Sequence, residues 1–301
     1  MKLRFKSAIQ LIVFFVLITV LVPSCQKEQS QDGTDEEQEQ TASQVSGESD
    51  AEAEIIFNNV FDDAMGVNDE VAIGGTGVFG RINSCPEVTV IRLNAPNAFP
   101  VRVVLDFGIS GCTGPDGHFR KGKVITEYTN RLLVPGAIAT TIFDGFYFDS
   151  IKVQGTHKIT NTSTPVAAPL PPADRKFKVE VIGGKLTRPN GNFAEWNSVR
   201  YIVQTEGLGT IVPIDDIFRI EGSASGNVKR GNLLVRWESN IIEPLIKRFN
   251  CRWIVRGKIR TIRANLGSNS PWIAVLDFGT VTCDNQAVLT INGIPHQITL
   301  P

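Results

Sequence analysis

The chain writes one short string twice. Leu105-Asp106-Phe107-Gly108-Ile109-Ser110-Gly111-Cys112 returns as Leu276-Asp277-Phe278-Gly279-Thr280-Val281-Thr282-Cys283: Leu-Asp-Phe-Gly, three free positions, then Cys. Each copy ends an alternating run, Val101-Arg102-Val103-Val104 in the first and Trp272-Ile273-Ala274-Val275 in the second. A two-residue side-chain period puts Leu and Phe on one face and Asp on the other. Each copy also follows an earlier cysteine, Cys85 or Cys251, across a segment rich in turn residues. A duplicated β-hairpin is the simplest structure that satisfies both.

The hairpin selects a disulfide pairing. Cys251 and Cys283 are mirrored about Gly267 in the Gly-Ser-Asn-Ser-Pro turn, and Cys85 and Cys112 about Asn97-Ala98-Phe99. Positions mirrored about a turn face each other in an antiparallel pair, within bridging distance. Four cysteines allow three pairings; the hairpins choose Cys85–Cys112 and Cys251–Cys283.

The fifth cysteine belongs to an address. Lys2, Arg4 and Lys6 precede an apolar run from Ala8 to Val22, shorter than the roughly 20 apolar residues a spanning helix needs. The run ends Leu21-Val22-Pro23-Ser24-Cys25, which resembles the lipobox of bacterial lipoproteins. That resemblance implies cleavage before Cys25 and acylation of its sulfur and new amine, an anchor of several chains. Val22 and Pro23 stand where the family has Leu and a small residue. Residues 1–24 are then a signal peptide.

Residues 25–50 are expected to be a disordered acidic tether. From Gln26 to Glu54 the acids Glu28, Asp32, Asp35, Glu36, Glu37, Glu39, Glu48, Asp50, Glu52 and Glu54 face Lys27 alone, with little that forms a core. A short acidic stretch after the lipidated cysteine is similar to the surface-export signal of Bacteroidota lipoproteins; a plain periplasmic spacer reads the same way. Residues 51–84 are expected to hold one short helix and a Gly-rich joint. Ala53, Ile56, Phe57, Val60, Ala64 and Met65 recur at helical spacing, giving one apolar face, and the helix runs to Ile73 before Gly74-Gly75.

From Cys85 the text is all-β. Runs at 86–93, 100–108, 121–134, 137–148, 151–161, 175–188, 193–206, 216–224, 232–242, 251–263, 271–279, 286–291 and 294–300 alternate or are apolar. Pro135-Gly136, Pro189-Asn190-Gly191 and Asn292-Gly293 punctuate them. Short connections imply an antiparallel meander forming curved sheets, either a sandwich or a barrel. The Pro-rich stretch 163–174 divides a first β half, 85–162, from a second, 175–301.

Two strings imitate nucleotide enzymes. Gly75-Thr76-Gly77-Val78-Phe79-Gly80 spells a dinucleotide fingerprint, but the helix precedes the glycines instead of following them. Asp106-Phe107-Gly108 spells a kinase triplet without a kinase catalytic loop. Three candidate sites are left. Asp106 and Asp277 would serve a carbohydrate hydrolase only if they converge in one pocket; otherwise each caps a strand end. Arg252, Arg256, Lys258 and Arg260 recur along one strand and make a candidate stripe for an anionic glycan, or a solvated sheet face. Asp149-Ser150-Ile151 resembles a Bacteroidota O-glycosylation motif, which makes Ser150 the acceptor. His157 shares the parity of Ile151, Val153 and Ile159 and reads as a core residue. Five cysteines and three histidines leave no metal cluster or cofactor motif, and an exported chain with a sequence pI near 6.3 is not a nucleic-acid binder.

Lipobox, acidic stretch and repeated Leu-Asp-Phe-Gly-x3-Cys together resemble a group of Bacteroidota outer-membrane lipoproteins. The resemblance implies a location, on the periplasmic or surface side, and brings no activity. The expectation is a lipid-anchored binding or structural envelope component. Its partners would be the membrane and an anionic glycan or envelope protein; the rivals are an aspartate hydrolase and a lipid or glycolipid carrier.

Overall fold

The computed structural model describes residues 30–65, 85–114, 117–165, 174–208 and 213–301. Cys25, the glycines at 74–80 and the middle of the Pro-rich stretch lie outside these. Among the described residues one α-helix, α1 (Ser30–Met65), precedes fourteen strands: β1 Glu87–Arg92, β2 Val101–Asp106, β3 Cys112–Thr113, β4 Phe119–Tyr128, β5 Ile138–Phe148, β6 Ile151–Asn161, β7 Lys176–Thr187, β8 Phe193–Glu206, β9 Ile217–Arg230, β10 Leu233–Arg248, β11 Ile254–Arg263, β12 Ala274–Thr280, β13 Gln286–Ile291 and β14 Ile294–Thr299. Residues 30–38 form a unit of their own, and Glu39–Pro301 form the body described below.

The strands make one antiparallel sheet in chain order, with only the two-residue β3 off the path, pairing with β4. The sheet is an open, curved one. Hairpin chemistry sets much of its register. Asn292 and Gly293 both have positive φ, 50° and 74°, the twist a two-residue turn needs, and Ile291 pairs with Ile294 across them. The expected break at 163–174 is not a domain boundary. Asn161 of β6 pairs with Phe177 of β7, and Thr162 N–H donates to the Lys176 carbonyl, so the two β halves belong to one sheet.

Strand period sends one set of side chains inward: Val101, Val103 and Leu105 on β2, Phe177, Val179 and Val181 on β7, Trp237 and Ser239 on β10, Leu289 and Ile291 on β13. The sheet curls around α1. Phe148 on β5 comes within 6.0 Å of the Arg252 guanidinium before β11, although five strands separate β5 from β11. Curvature of this order needs close backbone approach, and Gly222 supplies it on β9. Its φ is +135°, and a Cβ there would sit 2.1 Å from the Val199 carbonyl oxygen of β8.

The helix is where expectation and structure part. Expected from Ala53 to Ile73, it is 36 residues long and spans Ser30–Met65, and residues 66–73 lie outside the described residues. It does not present one apolar face. Within the body, Ile55, Ile56, Phe57, Phe61 and Met65 are buried, and so are Ser46, Asp50, Glu54, Asn58 and Asp62 around the same turns. Strands wrap it on several sides. Phe57 meets Phe143 (β5), His157 (β6) and Trp196 (β8) with ring centroids 5.3–6.4 Å apart, and Phe61 meets Phe177 (β7) and Phe218 (β9). Tyr128 on β4 donates its hydroxyl to the Ala64 carbonyl, and Gly47 lies against Leu289 and Ala274 of β13 and β12.

The stretch from Glu39 to Asp50, expected to be tether, is thus part of the core. Ala42, Ser43, Ser46, Gly47 and Ser49 are small enough to let the helix approach the sheet. Its acids are matched by bases from distant strands, which a reading of local composition does not register.

Candidate functional site: a trough on the outer face

The buried and half-buried acids of α1 form a ladder of contacts. Glu39 pairs with Arg263, Glu48 with Arg230 at 2.8 Å, Glu52 with Arg188 at 2.5 Å and Asp62 with Lys247 at 2.7 Å. Glu54 takes two bonds from Arg200, at 3.0 and 2.6 Å, and a third from Asn58 at 2.9 Å. Asp50 accepts from Trp196 Nε1 at 2.8 Å and from Thr261 at 3.2 Å. Burial pushes the carboxyls of Asp50, Glu52 and Asp62 upward against the pull of these partners, Asp62 to about 6. Asp216, beside Arg175 and bonded by Gln204 at 2.6 Å, is raised by burial to about 7. The α1 acids and their partners hold the helix inside the sheet, while Asp216 ties the segment before β9 to β8.

The expected catalytic pair has a structural assignment instead. Leu105, Phe107, Leu276 and Phe278 point inward and are buried, as the period requires, while Asp106 and Asp277 face outward on β2 and β12. Asp106 Oδ1 accepts the Gly108 amide at 2.8 Å and Asp277 Oδ1 the Gly279 amide at 2.9 Å, each before a glycine with positive φ. Each also pairs with a lysine on a neighbouring strand, Lys123 at 2.8 Å and Lys258 at 3.2 Å. Strands β2 and β12 lie near opposite ends of the strand order, and each carboxylate is committed to its own strand-end cap and lysine. The Lys123 ammonium and the Gly108 amide hold the Asp106 carboxyl below the usual carboxylate range.

The basic stripe does not exist as a free cationic surface. Arg252 is buried, stacked over Trp253 at 5.0 Å. Arg256 pairs with Glu243 at 3.2 Å, Lys258 with Asp277, and Arg260 donates to the Ser268 carbonyl at 2.7 Å. A β-bulge on β10 brings Glu243 opposite Lys258, a partner whose position the sequence of β11 does not reveal. The four other candidate cysteines are paired as the hairpins require, Cys85 with Cys112 and Cys251 with Cys283, with Cα atoms 6.2 and 5.9 Å apart. Ser150 is exposed in the tight turn between β5 and β6, where Asp149 has φ 51° and its Oδ2 lies 2.7 Å from His118 Nδ1. His157 is buried against Phe57, and burial depresses its imidazole to about 3.

What the sequence did not single out is a depression on the outer face, across β7 to β10. It has a volume of about 470 Å³. Glu180 and Ile182 of β7 form one wall, Glu238 and Asn240 of β10 the other, and Asn197, Ser223 and Ser225 line the floor between them. The register brings them into rows: Glu180 faces Val199, Val199 faces Ser223 and Ser223 faces Asn240, while Asn197 faces Ser225 and Ser225 faces Glu238. Irregularities in pairing between Val181 and Gly184 on β7, and between Asn240 and Leu245 on β10, flank it and give the local bend. A second crevice, about 350 Å³, lies between Arg188, Arg230, Glu48 and Glu52 and the segment from Gln297 to Pro301; its four charged groups are paired with one another.

Among the described residues no group of His, Cys, Asp and Glu is placed to hold a metal ion, and no helix is long and apolar enough to cross a membrane. No family model, curated protein or solved structure matches the chain.

Proposed function

We propose that this chain is an outer-membrane lipoprotein anchored through Cys25, whose rolled-sheet body is a binding component of the cell envelope. The observation that carries the binding reading is the outer trough over β7 to β10. It is a preformed depression within the size range of small-ligand sites, about 300–1,000 Å³. The two rival readings have weaker support. A hydrolase would need a pair of converging carboxylates, and Asp106 and Asp277 are occupied in strand-end caps and ion pairs on separate parts of the sheet. A lipid carrier would need an apolar lumen, and the inward face of the sheet is taken up by α1. The anionic glycan expected from the basic stripe has weaker support, since Arg252 is buried, Arg256 and Lys258 are paired with Glu243 and Asp277, and Arg260 bonds the Ser268 carbonyl.

Anchoring is tested by Cys25→Ser in cells fed labelled fatty acid: label and membrane association should both vanish, and retained label contradicts the anchor. Binding is tested by immobilising the full chain in detergent and passing envelope polysaccharide over it. Retention that falls on Ser223→Trp, which fills the trough floor, supports the reading. Equal retention by both proteins removes the trough as the binding surface.

A further inference from the structure

Resting on the reading of the trough as the recognition surface, we infer that its ligand is an uncharged polyhydroxylated molecule, a neutral saccharide chain lying across β7 to β10. Elsewhere on the outer face the charged groups are paired with one another. Arg102 pairs with Glu127, Lys123 with Asp106, Lys185 with Glu195, Arg219 with Glu221, Arg256 with Glu243 and Lys258 with Asp277. Exposed strands are laced in this way from β2 to β12.

The trough interrupts the pattern. Among the described residues no side chain bonds Ser223, Ser225, Glu238 or Asn240. Asn197 is engaged on one side only: its Oδ1 accepts the Gly183 amide at 2.7 Å, which fixes the carboxamide and leaves its two N–H donors uncommitted. Glu180 has one oxygen bonded by Lys178 at 2.7 Å, and that ion pair leaves the other oxygen as an acceptor.

This inventory alternates acceptors with groups that donate and accept, over three inter-strand spacings, about 14 Å of sheet. Hydroxyls are complementary to it, because each O–H donates to a carboxylate or carbonyl and accepts from an amide or serine. An anionic chain would meet the unpaired Glu238, with no arginine or lysine on the lining to attract it and the Lys178 ammonium already committed to Glu180. Ile182, 59 % exposed on the β7 wall, and Ile142, 48 % exposed in the same outward row through Thr156, supply apolar surface for the C–H faces of sugar rings. Tyr201, 55 % exposed and two residues beyond Val199 on β8, extends that surface past one end.

The test uses the full chain in detergent and three labelled oligosaccharide sets, neutral, anionic and cationic, titrated at low salt and after an about fourfold rise in salt. Neutral chains should bind, with affinity indifferent to the salt change. Glu238→Gln should weaken them about tenfold, the scale of one charge-assisted hydrogen bond made neutral. Ser223→Trp should abolish binding while both variants keep the thermal midpoint of the parent. Anionic or cationic chains that bind in a salt-sensitive way, and are lost on Ser223→Trp, would overturn the ligand class and leave the trough as a binding surface. Neutral binding that survives Ser223→Trp, or the absence of Ser223→Trp-sensitive binding in all three sets, would overturn both.

Discussion

Removing the carboxylate of Glu54 should be among the most damaging single changes in the body. Glu54 and Arg200 are 1 % and 4 % exposed, joined at 2.6 and 3.0 Å, and the guanidinium also lies 5.5 Å from the Trp196 ring. Glu54→Ala removes the ion-pair partner of a buried guanidinium and leaves only the more distant Asp50 as an acidic neighbour, and Arg200→Ala strands a carboxylate held only by Asn58. Breaking one partner of a buried pair costs about 3–5 kcal/mol. The double variant removes both charges, so it should cost little more than either single variant. The coupling energy should then be about 3 kcal/mol, the upper part of the range for residues in contact. Urea unfolding of the four proteins with disulfides intact, analysed as a double-mutant cycle, measures it. Single losses that simply add, with coupling under about 0.5 kcal/mol, would mean that helix and sheet do not meet at this pair, and the wrapped-helix account would be wrong there.

Each disulfide closes a loop whose sequence separation is 27 or 32 residues, and by chain entropy either should contribute about 3–4 kcal/mol. Cys85→Ala with Cys112→Ala, and Cys251→Ala with Cys283→Ala, should each lower urea stability by that amount. A Cys85–Cys283 or Cys112–Cys251 peptide in a non-reducing map would contradict the pairing. His157 sets a pH dependence. Its folded imidazole is held neutral down to about 3 while the unfolded one titrates near its ordinary 6.5, so stability is lost as pH falls through that window. His157→Phe, which keeps a ring against Phe57, should gain about 2.5 kcal/mol on the parent between pH 7 and pH 4.5. Asp62 works in the opposite direction: its raised pKa favours folding as pH drops below about 6, but it is common to both proteins and cancels. An equal difference at the two pH values would refute the burial of a neutral imidazole.

The strands were legible because each carries its own signal. Residues 151–161, 193–206 and 286–291 alternate over their whole observed lengths, and Asn-Gly at 292–293 has one low-energy hairpin conformation. The cysteine pairing followed from mirror symmetry about the turns. In the second hairpin the register, Lys258 opposite Asp277, lies one residue off the mirror about Gly267, and a shift between Arg256 and Lys258 intervenes before the cysteines. In the first the departure is larger. Glu87 faces Asp106, and the chain then runs through Gly108 and Gly111 to β3 before Cys112 meets Cys85, so local mirroring reached the right pair by an irregular path.

Other features depend on partners far away in the chain. Nothing in Gln44-Val45-Ser46-Gly47-Glu48-Ser49-Asp50 marks it as core until Trp196, Arg230, Thr261 and Leu289 are brought around it. The stripe on β11 fails for the same reason, since Glu243 reaches it through a bulge. The trough is a property of four strands together. Its only local trace is the run of small and amide residues in Asn197-Ser198, Ser223-Ala224-Ser225 and Ser239-Asn240, which on a single strand reads as ordinary exposed polarity.

Amide hydrogen exchange of residues 42–50 in the full chain tests the wrapped helix most directly. If the acidic segment is helix inside the rolled sheet, these amides open only with the body. Their protection should match that of core strands such as β8 and β10, and it should drop in Glu54→Ala together with theirs. Exchange at the rate of an unstructured peptide across 42–50, beside protected strands, is the behaviour of a tether and would contradict the account.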